Sequence, residues 1–81
     1  MFITAQVSLY PIESVDADYV INQSIQSGLE GADLEYEVGP VSTEVSGPPE
    51  EVWRALRRMF DEATIRSGEV AMSVTLTNAR R

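Results

Sequence analysis

Two stretches of strict period-two alternation stand at opposite ends of the chain, and burying both constrains its fold more than any other feature. Ile3, Ala5, Val7 and Leu9 alternate with Thr4, Gln6, Ser8 and Tyr10; near the other end Val70, Met72, Val74 and Leu76 alternate with Ser73, Thr75 and Thr77. Successive side chains of a strand point to opposite faces, so each segment has one apolar face and one face of hydroxyls and amides. The apolar rows require a common cover. The polar rows contain none of the Lys and Glu expected of a solvated sheet, so that face can accept a second sheet or a small polar ligand.

Between the two ends the period changes twice. Pro11 closes the first strand because it cannot continue a hydrogen-bonded ladder. Asp16 is placed to cap a helix whose apolar positions Ala17, Val20, Ile21, Ile25 and Leu29 recur at three and four residues, with Gly31 as its stop. Gly28 shares that stripe, which predicts close approach of this helix to the sheet. From Leu34 the period returns to two: Leu34, Tyr36 and Val38 are expected to face the core and Glu35 and Glu37 to face away. Gly39-Pro40 marks a turn, and Val41, Thr43 and Val45 form the inward row of a third strand that Gly47-Pro48-Pro49 ends. A second helix follows, with Pro49 in its first turn, Glu50 and Glu51 at its positive end, and Val52, Trp53, Leu56, Met59, Phe60 and Ala63 as its buried stripe. Its exposed side offers i,i+4 pairs Glu50–Arg54, Arg57–Asp61, Arg58–Glu62 and Glu62–Arg66, each worth a few tenths of a kcal/mol. Gly68 closes it, the last strand follows, and residues 78–81 read as a frayed end.

The order strand, helix, strand, strand, helix, strand is that of an α+β, ferredoxin-like βαββαβ sandwich, occupying residues 1–81 as a single domain. Right-handed crossovers predict a four-stranded antiparallel sheet of order 4-1-3-2 with two helices on one face. A chain this short has a small core, and with no Cys it has no disulfides to help, so a homo-oligomer, dimer or tetramer, is expected.

Composition narrows function mainly by exclusion. Without Cys or His there is no thiol nucleophile, no imidazole base and no common zinc ligand set, and a non-enzyme is expected. The net charge is −7, and residues 1–51 hold ten acids and no Arg or Lys. Four of the six Arg lie on the second helix, beside acids that can pair with them, so no nucleic acid partner is expected. RNA-binding sheets of this fold also need exposed aromatics on their central strands, where this chain has Ser, Thr and Gln. An acylphosphatase-like site would need an Arg in the loop after the first strand, and residues 11–18 have none. There is no apolar run long enough for a membrane span and no secretory leader pattern, so a cytoplasmic protein without membrane contact is expected.

Four segments carry a family likeness: Gln6-Val7-Ser8-Leu9-Tyr10-Pro11, Val41-Ser42-Thr43-Glu44-Val45-Ser46-Gly47, Glu51-Val52-Trp53 and Val70-Ala71-Met72-Ser73-Val74-Thr75-Leu76. With them the chain resembles the YkoF-like thiamin/hydroxymethylpyrimidine-binding family from about Ile3 to Asn78, the Ser-Leu-Tyr-Pro strand end being the most specific piece. The resemblance implies a ferredoxin-like unit that binds thiamin or its hydroxymethylpyrimidine moiety without catalysis. Some members hold two tandem units, so two copies of this one can form what those make in a single chain. Where tandem members often carry an acid and a His or aromatic before the Ser-Thr pair, this chain has Gly39-Pro40-Val41, leaving Glu37 as the nearby carboxylate.

A heteroaromatic ligand of that kind needs in-plane donors and acceptors, an apolar slot and, for a thiazolium, a carboxylate or a ring face. Gln6, Ser8, Tyr10, Glu37, Ser42 and Thr43 supply these groups and are the candidate ligand residues; no further cofactor is expected. Each also has a structural reading. Thr43 can be a satisfied core hydroxyl, Glu37 a solvated strand residue and Tyr10 a cover for the sheet edge, while Trp53 and Phe60 are better explained as core than as pocket walls. Thr4, Ser73 and Thr75 fit hydroxyl pairing across a sheet-to-sheet interface. The other class of function open to such a chain is a regulatory or scaffolding module that self-associates through its sheet.

Overall fold

The computed structural model describes residues 1–79, so the expected frayed end at 78–81 lies partly outside them. Six elements follow one another: β1 (Ile3–Pro11), α1 (Ala17–Leu29), β2 (Glu35–Val38), β3 (Thr43–Gly47), α2 (Pro49–Ser67) and β4 (Val70–Thr77). The strands form one antiparallel sheet in the order β2-β3-β1-β4, which is the expected 4-1-3-2 arrangement read from its other edge. β1 is therefore central, opposite β3 from Ile3 to Val7 and opposite β4 from Thr4 to Pro11.

The core lies between the sheet and the two helices. Ala5, Val7, Leu9 and Val45 contribute from the sheet, Val20, Ile25 and Leu29 from α1, and Val52, Ala55, Leu56, Met59 and Ala63 from α2. Asp16 caps α1 as expected, its carboxylate accepting from the Tyr19 amide at 3.3 Å. No basic residue occupies the last turn of α1. Its end is held instead by Arg58 of α2, which donates to the Glu30 carbonyl at 2.9 Å, in place of the expected Arg58–Glu62 pair. Arg54 likewise pairs with Glu51 at 2.6 Å rather than Glu50, whereas Arg57–Asp61 and Glu62–Arg66 form at 3.7 and 3.0 Å.

Four further expectations change in three dimensions. Gly28 does make a close approach, but to α2 and not to the sheet: a Cβ there would run into the Met59 side chain and lie 3.0 Å from the Met59 nitrogen and 3.2 Å from the Ala55 carbonyl oxygen. Tyr36 and Val38 are on the helix-facing row of β2 but are 59% and 54% exposed, because β2 is an edge strand on which neither helix packs. Val41 is not part of β3; it sits in the hairpin turn that the Gly39 amide closes on the Ser42 carbonyl at 2.9 Å, and it is exposed. Trp53 and Phe60 leave the buried stripe of α2 at 57% and 39% exposure. The stripe is centred on Val52, Leu56, Met59 and Ala63, and those two aromatics lie on its flank, off the edge of the two-layer sandwich.

Candidate functional site

The β1–β3 ladder ends at Val7 opposite Thr43. Beyond that rung β1 continues to Pro11 with β4 as its only partner, while the chain before β3 turns away through residues 39–42. The parting of the two central strands leaves an opening, and the first two turns of α1 roof it. The result is a pocket of about 330 Å³. Val7, Leu9, Ile21 and Ile25 give it apolar walls, and Pro40 and Val41 form its lip. Its polar lining residues are Ser8, Ser42, Thr43, Asp18 and Asn22.

Each of these groups is held by its element. Thr43 is the first residue of β3, points to the helix side and is 1% exposed, so its hydroxyl is at the floor. Ser8 belongs to the outward row of β1, but past the last rung it reaches the turn and donates to the Val41 carbonyl at 3.2 Å. That bond ties the turn to β1 across the parting. Asp18 lies in the first turn of α1, where a carboxylate suits the helix dipole, and Ile21, Asn22 and Ile25 follow on the same face at helical spacing. The arrangement is an apolar slot with convergent donors and acceptors, the pattern of small-molecule sites.

Of the six candidates from the sequence, the structure brings Ser8, Ser42 and Thr43 together. Gln6 stands on the outer face of the sheet, between Glu44 and Thr75 on its neighbouring strands. Tyr10, opposite Ala71 on that same face, is 54% exposed. Glu37 faces outward beside Glu44 and lines a shallow hollow with Gly39, Ser42 and Glu44. A strand's alternation places all three on the side away from the pocket. The carboxylate at the pocket is Asp18, and sequence reasoning missed it. The available signal was the face Asp18, Ile21, Asn22, Ile25, which mixes polar with apolar residues where a purely packed helix would be apolar.

The pocket continues into a wider groove of about 750 Å³ between α1 and β2, with Asn22, Ile25 and Val38 common to both. Gln23, Gln26 and Glu30 of α1 and the Tyr36 ring of β2 also line the groove. Its existence explains why Tyr36 and Val38 are uncovered: α1 stands off from the edge strand and leaves a channel between them.

Thr4 has a partner within its own sheet, its hydroxyl lying 2.9 Å from that of Ser46. Among the described residues no helix is long and apolar enough to cross a membrane.

Comparison with known proteins places this geometry. A family model described as the YKOF-related Family matches residues 2–79. No curated protein sequence matches the chain. Protein SP2199 from Streptococcus pneumoniae superposes with a TM-score of 0.87 at 22% identity, covering 99% of this chain and 89% of that one. A Thermotoga maritima protein, TM0486, proposed to act in thiamine biosynthesis or salvage, superposes with a TM-score of 0.83 at 20% identity over 98% of this chain and 85% of its own. Protein MJ1052 from Methanocaldococcus jannascii gives 0.86 at 18% identity, covering 98% and 81% of the two chains. Likeness at these identities establishes the shared fold.

Proposed function

The chain belongs to the YKOF-related family, and on that premise we propose that it binds a small heteroaromatic molecule, thiamin or its hydroxymethylpyrimidine moiety, without transforming it. One observation carries this reading: Ser8, Ser42, Thr43 and Asp18 line, together with apolar residues, a pocket of about 330 Å³, at the lower end of the size range of small-molecule sites. In this reading the pyrimidine ring enters between Ile21 and the strand end. Its ring nitrogens accept from Thr43 and Ser42, and its amino group donates to Asp18. The exposed groove beyond takes what the pyrimidine carries, and the Tyr36 ring offers a face to a cationic thiazolium. A neighbouring fold proposed to act in thiamine biosynthesis or salvage supports the choice of ligand.

The protein has no thiol or imidazole to act on the ligand, which favours a carrier or sensor over an enzyme, and in this reading it works as a homo-oligomer in the cytoplasm. Calorimetric titration with thiamin and with hydroxymethylpyrimidine tests this. Saturable binding at one ligand per chain is expected. If a folded sample gives no heat with either, the reading fails and a regulatory or scaffolding role takes precedence. The uncharged β1–β4 part of the outer sheet face is the observation that favours that second role.

A further inference from the structure

The pocket and the groove it opens into are built from residues 7–43, and that part of the chain contains no Lys or Arg. The charged residues on their walls are Asp18 at one end and Glu30 at the other, both acids. Asn22 stands where pocket and groove join, and Glu30 lies roughly 12 Å farther along α1 at the rise of an α-helix. Between them the walls are uncharged: Gln23, Gln26 and Ser27 come from the helix, Tyr36 and Val38 from β2.

The Glu30 end is negative for a second reason. It is the C-terminal end of α1, where aligned peptide dipoles leave a partial negative charge, and the last turn has no basic residue to offset it. Two arginines of α2 do reach this turn. Arg58 donates to the Glu30 carbonyl at 2.9 Å, and Arg66 donates to Ser27 Oγ at 3.3 Å while paired with Glu62 at 3.0 Å. Both come from the side of α1 that packs on α2, whereas the groove is on the side facing β2, and neither arginine lines it. The Glu30 carboxylate makes no ion pair among the described residues.

We propose that Glu30 and the C-terminal end of α1 select the charge of the ligand's tail, admitting the free alcohol of thiamin and turning away its phosphate ester. The inference rests on the reading of the pocket given above. With the pyrimidine at Thr43 and Asp18, the thiazolium lies in the groove, and its hydroxyethyl arm extends along α1 toward Glu30. A cation there is favoured by the acid, by the helix end and by the Tyr36 ring. A phosphate on the arm brings about −1.5 to −2 charges to the same place.

Size does not make this choice, because a groove of about 750 Å³ has room for one more phosphate. Charge does. A dianion about 8 Å from one carboxylate, in the dielectric of water, loses roughly sixfold in affinity. Asp18 and the net charge of −7 add to that penalty, so about tenfold discrimination is expected at low salt. The groove is exposed, and the effect should therefore fade as the Debye length shrinks from about 30 Å at about 10 mM salt to about 3 Å at about 1 M.

Calorimetry on the full chain at low salt tests the proposal with thiamin, thiamin monophosphate and O-acetylthiamin, which is an ester of the same hydroxyl without the charge. Thiamin monophosphate should bind about tenfold more weakly than thiamin, and O-acetylthiamin within about threefold of it. Glu30→Lys should close the gap or invert it and leave the affinity for hydroxymethylpyrimidine unchanged. The variant should fold normally, since a cation is favourable at a helix C-terminus. Glu69→Lys makes the same change of net charge at an exposed residue just before β4, on the opposite edge of the sheet, and should keep the gap. Equal affinities for thiamin and its monophosphate, or a gap that survives in Glu30→Lys, overturn the proposal while leaving the proposed ligand in place. A loss shared by O-acetylthiamin overturns it too, since size would then be the cause. No binding of thiamin or hydroxymethylpyrimidine overturns the reading on which it rests, and the proposal with it.

Discussion

Replacing Gly28 by alanine isolates the contact that sets the distance between the helices. On an open helix surface the change stabilises, since Gly lies about 0.8–1.0 kcal/mol below Ala in helix propensity. At this site the new Cβ meets the Met59 side chain and stands 3.0 Å from the Met59 nitrogen and 3.2 Å from the Ala55 carbonyl oxygen. The methionine side chain can swing aside; the two backbone atoms belong to α2 and cannot move without it. Overpacking of a core typically costs about 1–3 kcal/mol, and a clash with backbone falls in the upper part of that range. The net effect is a destabilisation of about 2 kcal/mol, which for a domain of this size lowers Tm by roughly 8–16 °C. Thermal melts by circular dichroism and urea titrations measure it, the urea midpoint falling with an unchanged slope. Gln26→Ala, exposed on the same helix, serves as control and should stay within about 0.5 kcal/mol of the native chain. A Gly28→Ala Tm equal to or above the native value would refute the reasoning, because it would mean that α1 and α2 separate at no cost.

Three further outcomes are expected. Thr43→Val keeps the volume but removes the floor hydroxyl, so ligand affinity should fall by about 1–2 kcal/mol in calorimetry with little change in Tm; a variant that fails to fold would instead make Thr43 a purely structural hydroxyl. Asp18→Asn should weaken hydroxymethylpyrimidine and thiamin alike by about tenfold, the carboxylate being at the exposed rim where hydrogen bonds to charge are partly screened; unchanged titrations of both ligands would remove Asp18 from the site. Ser24 is fully buried, and its Oγ has no hydrogen-bond partner among the described residues. Ser24→Ala should therefore raise stability by about 1 kcal/mol in urea titration, and a lower midpoint would show that the hydroxyl has a partner.

How far the site was legible follows from the reach of each signal. Ser8, Ser42 and Thr43 could be nominated from residue type and from the strand pattern, and they do meet. Gln6, Tyr10 and Glu37 have equally suitable chemistry, but alternation turns them to the other face. Asp18 and Asn22 enter the pocket from a helix some twenty residues before the turn they face, and no local period encodes that distance. The β1–β3 parting that makes the pocket is also non-local: it depends on β3 starting at Thr43 while β1 runs on past Val7.

The chain alone sets the order and type of all six elements, because periods of two and of about 3.6, punctuated by Asp16, Gly39-Pro40 and Pro48-Pro49, are local properties. It also determined the strand order, since short right-handed connections leave one arrangement of βαββαβ. Which apolar residues are covered depends on how the elements pack together. Tyr36, Val38, Trp53 and Phe60 lie in proper helical or strand rows, yet the two helices are narrower than the four-stranded sheet and meet each other through Gly28. A row's period says which way a side chain points; whether anything stands above it depends on where the neighbouring elements come to rest, and here both edges of the sandwich are left open.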